Sequence, residues 1–172
     1  MKELDEFIEA NPHLKDFFPF LELLNKESHR GQVLISSSYL EEQLGQMLQA
    51  FFLKSPKAKK LVEGGYAPLQ SFSARITTCF LLGLISEDER HDLDLIRDVR
   101  NEFAHKIHTT FETQCIASRC EQLKHQAFAE KDEVKMPAFA QFSTAATSLI
   151  LHLVNRPHYV GKRRCEFQNW KY

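Results

Sequence analysis

Glycine and proline are scarce, with six of each in 172 residues. No Asn-Gly or Asp-Gly turn separates two strand-like runs, so an all-β sandwich or barrel is not expected. Long apolar runs are also missing. The longest, such as Cys79 to Leu82 before Gly83, fall far short of the roughly 20 residues a membrane span needs. The first six residues, Met1-Lys-Glu-Leu-Asp-Glu, are acidic and carry no apolar leader segment. A secretory signal is therefore not expected, and the chain is expected in the cytoplasm. No sign of charge dominates: 22 Lys and Arg face 23 Asp and Glu, a net charge of −1. There is thus no global field to hold a nucleic acid by counterion release, and any such binding requires a local patch. Four cysteines, at 79, 115, 120 and 165, contain no C-x-x-C pair and no histidine at zinc-finger spacing. Neither a metal nor a cofactor is expected, and the thiols are expected to be free in a reducing compartment.

What is present is the composition of one globular domain. Hydrophobic residues make up 43% and charged residues 26%, enough for a packed core and too short a chain for two ordinary domains. The expected fold is an all-α, single-domain bundle of about six to eight helices over residues 1–155, followed by a basic tail over 156–172. Asn11-Pro12 and Pro19 punctuate two short N-terminal helical segments whose buried face is Phe7, Ile8, Leu14, Phe17, Phe18, Leu21 and Leu24. A long helix is expected from about Arg30 to Leu53. At about 100° per residue, Val33, Leu40, Leu44, Met47, Leu48 and Phe51 form its apolar stripe, with Ser36, Gln43 and Gln46 opposite. Ser55-Pro56 caps and opens a short basic helix, Lys57 to Val62, which Gly64-Gly65 ends.

The next helix, about Leu69 to Leu82, stops at Gly83. Ser86-Glu-Asp-Glu89 is a capping box that opens a helix to about His108. Two more helices are expected, Glu112 to Phe128 and Pro137 to Asn155, separated by the charged joint 130–133, with Pro157 closing the last. From Lys162 to Tyr172 the tail lacks periodicity and is expected to be a loose terminus or a partner-docking segment. Fourteen phenylalanines exceed what one small core commonly requires, which points to a homodimer.

On the Ser86 helix, Leu93, Ile96, Val99, Phe103 and Ile107 recur at spacings of three and four and define the core face. Arg100 falls inside that face, one heptad after Leu93. A guanidinium cannot discharge to escape burial, so an acceptor must meet it, and Glu41 on the long helix is the best-placed carboxylate. Asp94, Arg97, Asn101, His105 and His108 form a polar stripe on the other side. Two readings are open. Arg100 and Glu41 make a structural ion pair beside an ordinary solvated face, or the arginine and the histidines carry chemistry.

The string Ile96-Arg-Asp-Val-Arg-Asn-Glu-Phe-Ala-His105 resembles the Arg-Asn-x-x-x-His signature of HEPN domains, many of which cut RNA without a metal at a cleft shared by two subunits. That resemblance implies that Arg100 steadies a phosphate, Asn101 orients the motif and His105 acts on the attacking 2′-hydroxyl or the leaving oxygen. The chemistry is sound, because imidazole titrates near neutrality and guanidinium binds phosphate as a fork. A longer likeness runs from Gly31 to His108. It comprises Gly31-Gln-Val-Leu-Ile-Ser-Ser-Ser-Tyr-Leu-Glu-Glu-Gln-Leu, the stretch Gly64 to Ile76, Leu82-Gly-Leu-Ile-Ser-Glu, and Arg97 to His105. Together these pieces resemble the mannitol operon repressor family of bacterial regulators, which implies an all-helical, non-enzymatic repressor of transcription.

The residues themselves do not supply a helix-turn-helix. Across the joint Gly83 to Ser86, the second helix would offer Glu87, Asp88, Glu89 and Asp92 to the phosphate backbone, where a recognition helix offers Arg, Lys, Asn or Gln. A repressor of this sequence is expected to work through a protein partner. Two local patches remain as candidate nucleic-acid or partner contacts: Lys57, Lys59 and Lys60 on the short helix, and Lys162, Arg163 and Arg164 in the tail among Tyr159, Phe167 and Trp170. Both are equally explained as solvated charge. Ser36-Ser37-Ser38 lacks the strained turn of a hydrolase nucleophile, and Gly64-Gly65 lacks the lysine and strand of a phosphate loop. The leading expectation is a repressor-like regulator. The alternative is a metal-independent endoribonuclease or RNA-binding protein using Arg100, Asn101 and His105.

Overall fold

The architecture comes from a computed structural model that describes residues 10, 12, 15, 17–125 and 136–171. Phe7, Ile8, Leu14, the charged joint 130–133 and the expected helix end at Phe128 lie outside the described residues. Within them the protein is all-helical: α1 Phe17–Lys26, α2 His29–Phe51, α3 Pro56–Val62, α4 Phe72–Leu81, α5 Glu87–His105, α6 Gln114–Glu121, α7 Ala138–Leu153 and α8 Arg156–Gly161. Local signals set most of the starts. Ser28, Ser55 and Ser71 each accept a hydrogen bond from an amide of the first turn of α2, α3 and α4. At α5 the capping box is complete: the Ser86 amide donates to Glu89 Oε2 at 2.8 Å, and the Glu89 amide donates to Ser86 Oγ at 3.2 Å. Proline 19 sits in the first turn of α1, where no intrahelical donor is required.

Helix α2 is the axis of the bundle. It packs against α1, α3, α4, α5, α7 and α8, and this explains a departure from its expected wheel. Val33, Leu40, Leu44, Met47 and Leu48 are buried as the stripe requires, but Ser36 and Gln43, assigned to the solvent side, are buried too. A helix surrounded on several sides has little outer face left. Ser36 satisfies its hydroxyl by donating to Gln32 O at 2.6 Å.

Three tertiary effects move the other boundaries. Arg30 reaches from α2 to the end of α5 and donates to the carbonyls of Phe103, Lys106 (3.0 Å), Ile107 (2.7 Å) and Thr109 (3.4 Å). Collecting these oxygens turns the chain off the helix axis after His105, so Ile107, expected on the core face, is 86% exposed. Helix α6 ends early because the amides of Lys124 and His125 are taken by the carboxylate of Asp92 at 2.8 to 2.9 Å. Proline 157 does not close a helix but lies in the first turn of α8, a position that suits it.

The first residues of the expected 156–172 tail are therefore helical, from Arg156 as far as Gly161, and pack against α2. It is anchored further by Cys165 N donating to Phe51 O at 2.7 Å and by Arg164 Nη1 donating to Phe52 O at 2.9 Å. Many phenylalanines also find their place inside the chain. Phe17, Phe72, Phe103, Phe111 and Phe142 are buried, and Phe111 gathers Phe103, Phe139 and Phe142 at ring distances of 5.1, 5.3 and 5.6 Å. Five of the fourteen phenylalanines are thus placed in the core of one chain.

Candidate functional site

The two ends of α5 hold the protein's chemistry-bearing side chains in opposite environments. Positions 89, 92, 96, 99 and 103 recur at spacings of three and four and, with Leu93, make the buried stripe, so two of its six members are acids, Glu89 and Asp92. Both are almost sealed from solvent, at 4% and 0% exposure. Buried carboxylates require partners, and each has them. Besides the Lys124 and His125 amides, Asp92 Oδ2 lies 2.8 Å from His125 Nδ1. Glu89 Oε2 lies 2.6 Å from Arg156 Nη1 at the start of α8, and its other oxygen lies 3.9 Å from His152 Nδ1. The two histidine rings meet edge to face at 5.4 Å. Burial opposes ionisation of Glu89, but the hydrogen bonds from Arg156 and the Ser86 amide outweigh it and hold the carboxyl below its usual range.

At the other end, the expected site residues lie at or near the surface. Arg100 is half-buried at the margin of the core face, and its Nη1 donates to Asn101 Oδ1 at 3.1 Å. The expected ion pair between Glu41 and Arg100 does not form. The Glu41 carbonyl accepts instead from Arg75 Nη1 at 2.8 Å, and that guanidinium fills the space beside α2. Arg75 also donates to Leu69 O at 2.9 Å and Val62 O at 3.0 Å. Gly45 permits the approach, since a Cβ there would stand 2.9 Å from Arg75 Nη1.

Asn101 and His105, four residues apart, share one face of α5, and the bond to Asn101 draws the Arg100 guanidinium toward that face. His105 is exposed and has no hydrogen-bond partner among the described residues. The arrangement can present a guanidinium and an imidazole to a phosphate. Among the described residues it lacks an acceptor to orient the imidazole. Elsewhere on the polar stripe, the Asp94 carboxylate meets Arg97 at 2.7 Å and also Arg90 at 2.8 Å.

The basic patches are separate. On α3, Lys57, Lys59 and Lys60 are exposed, and Lys59 pairs with Glu63 at 3.5 Å. Around α8, Lys162 Nζ sits 5.1 Å from the Tyr159 ring centre, Arg163 is exposed, and Arg164 is spent on Phe52 O. Burial pushes the thiols of Cys79 and Cys120 up to about 12, which removes them as nucleophiles. Among the described residues no group of three or more His, Cys, Asp or Glu is placed to hold a metal ion. Among them, too, no helix is long and apolar enough to cross a membrane.

Sequence reasoning named Arg100, Asn101 and His105 as candidates and Glu89 as a capping residue; it did not anticipate the buried partners of Glu89 and Asp92 or the reach of Arg75 and Arg30. The signal for the two acids was available in their three-and-four spacing with Ile96, Val99 and Phe103. At the level of sequence, neither a protein-family model nor a curated protein matches the chain. Its fold, in contrast, is similar to a chain of the MtlR–HPr complex from Escherichia coli, solved by X-ray crystallography. The likeness has a TM-score of 0.58 at 21% identity and covers 83% of this chain and 96% of the other.

Proposed function

We propose that this chain is a non-enzymatic regulator of transcription, working in the cytoplasm as a repressor of a sugar-alcohol uptake operon and acting through a protein partner rather than a helix-turn-helix. The observation that carries the reading is the fold likeness to the MtlR–HPr complex over nearly the whole of that chain, joined to the sequence pieces between Gly31 and His108. The α4–α5 joint supports the partner-borne mechanism. The first turn of α5 exposes Glu87 and Asp88 and spends Glu89 on Arg156, so no cationic recognition helix is offered to a duplex. HPr, the second protein named in that complex, is the partner to test.

Calorimetric titration of the full chain with purified HPr should give a saturable complex, and deletion of the gene should raise transcript levels of the sugar-alcohol transporter operon. Absence of both effects overturns the reading.

A second reading rests on the Arg100–Asn101 hydrogen bond and the exposed His105 on the same side of α5. In it, a homodimer brings two such faces together into a metal-independent RNA-cleaving cleft. That reading requires a dimer by light scattering and RNA degradation in EDTA that Arg100→Ala or His105→Ala abolishes. Full activity in both variants excludes it.

A further inference from the structure

One cavity plays no part in either reading. It lies between the α4–α5 joint and α8 and encloses about 550 Å³, within the range of roughly 300–1,000 Å³ typical of small-molecule sites. Arg156, Lys162 and Arg163 line it together with Phe51 and Tyr159, and none of its lining residues is acidic. The ion pair with Glu89, and a further contact from the same Nη1 to Leu84 O at 3.4 Å, fix the Arg156 guanidinium at the wall. Lys162 is held over the Tyr159 ring, and neither Lys162 nor Arg163 meets a carboxylate among the described residues. Cations facing one concavity repel each other, and an anion placed between them relieves that cost.

The shape of the charge distribution selects the anion. Arginine grips phosphate as a fork and lysine as a point charge. The basic row does not continue into a track: Arg164 turns away to cap Phe52 O, and the α3 lysines line a different depression. A nucleic-acid strand requires cations repeated along its backbone, whereas this cluster serves a single charged group. Beside it, the exposed Tyr159 ring and the half-buried Phe51 ring provide an apolar surface for the body of a ligand.

We propose that this cavity binds a small phosphate monoester, with the phosphate on Lys162 and Arg163 beside Arg156 and a ring or apolar body against Tyr159. The site is independent of the regulatory reading and stands or falls by its own measurement. Calorimetric titration of the full chain with phenyl phosphate should show saturable binding with Kd of about 1 mM or below. The double variant Lys162→Gln/Arg163→Gln should weaken it by about tenfold or more. Lys57→Gln/Lys60→Gln, which removes the same charge from α3, should leave it unchanged. All four positions are exposed, and unchanged thermal unfolding of both variants confirms that the fold is intact. Three results overturn the proposal: no saturable heat from phenyl phosphate up to about 10 mM, equal weakening by both double variants, or binding of a single-stranded RNA oligonucleotide at this cluster without binding of phenyl phosphate.

Discussion

The N-terminal half of α5 buries two of its charges, Glu89 and Asp92, and the C-terminal half displays Arg100 and His105 at or near the surface. At the first end, Glu89 and Asp92 occupy core positions and draw in Arg156, His125 and His152 from segments 33 to 67 residues away. At the second, Arg100, Asn101 and His105 lie at or near the surface and bond only to each other or to nothing within the described residues. Charges sealed in a core serve the fold, because each must be matched where it stands. Charges at a surface are free for a ligand or a partner. The motif that resembled catalytic machinery therefore sits where substitutions cost the fold least, and the residues with the most demanding environments are those that a motif search ignores.

The largest effect should come from Asp92→Ala, which strips the acceptor from the Lys124 and His125 amides and from the His125 ring. Loss of about 3–5 kcal/mol is expected in chemical denaturation, a large share of a typical domain's 5–15 kcal/mol. A loss below about 1 kcal/mol would mean that this end is not the structural one. Glu89→Gln comes next, at about 2 kcal/mol at neutral pH, with a signature in acid. The folded-state pKa of Glu89 lies below the ordinary 4.5, so its contribution is full above that value and is lost as pH falls through the folded one. The variant should therefore show a flatter stability curve on the acid side, and parallel curves for the two proteins would remove the ion pair from the account.

Arg30→Met tests the structural element of the C-terminal end. Freeing the carbonyls of Phe103, Lys106, Ile107 and Thr109 should cost about 1–2 kcal/mol and speed amide hydrogen exchange across 103–109. Smallest of all, Arg100→Ala and His105→Ala should each change stability by less than about 0.5 kcal/mol. A larger loss would show that the display end is also part of the core.

Much of this was legible in the sequence where the signals are local. Ser55-Pro56 and the Ser86 capping box announce their helices within four residues, and the structure places both as read. The apolar spacing of Leu93, Ile96, Val99 and Phe103 gave the buried face of α5. What escaped depends on partners distant in the chain. Proline 157 fits equally as a stop or a first-turn residue, and only the packing of α8 on α2 decides. Ile107 continues the helical spacing, but Arg30, 77 residues earlier, ends the helix before it. Arg100 looked buried on a wheel drawn for one helix, yet it sits at the margin, while Arg75 is the guanidinium that reaches the α2 backbone.

That Arg75 clasp has a bearing on how the fold is inherited. Its three acceptors, at Glu41, Val62 and Leu69, are main-chain oxygens, which every amino acid supplies. The three hydrogen bonds that join α2, α3 and the segment before α4 do not depend on the side chains at those positions, so long as the arginine and the glycine facing it at position 45 persist. Two chains can thus keep this junction while sharing few of the residues around it, and comparison of paired side chains would overlook the fastening.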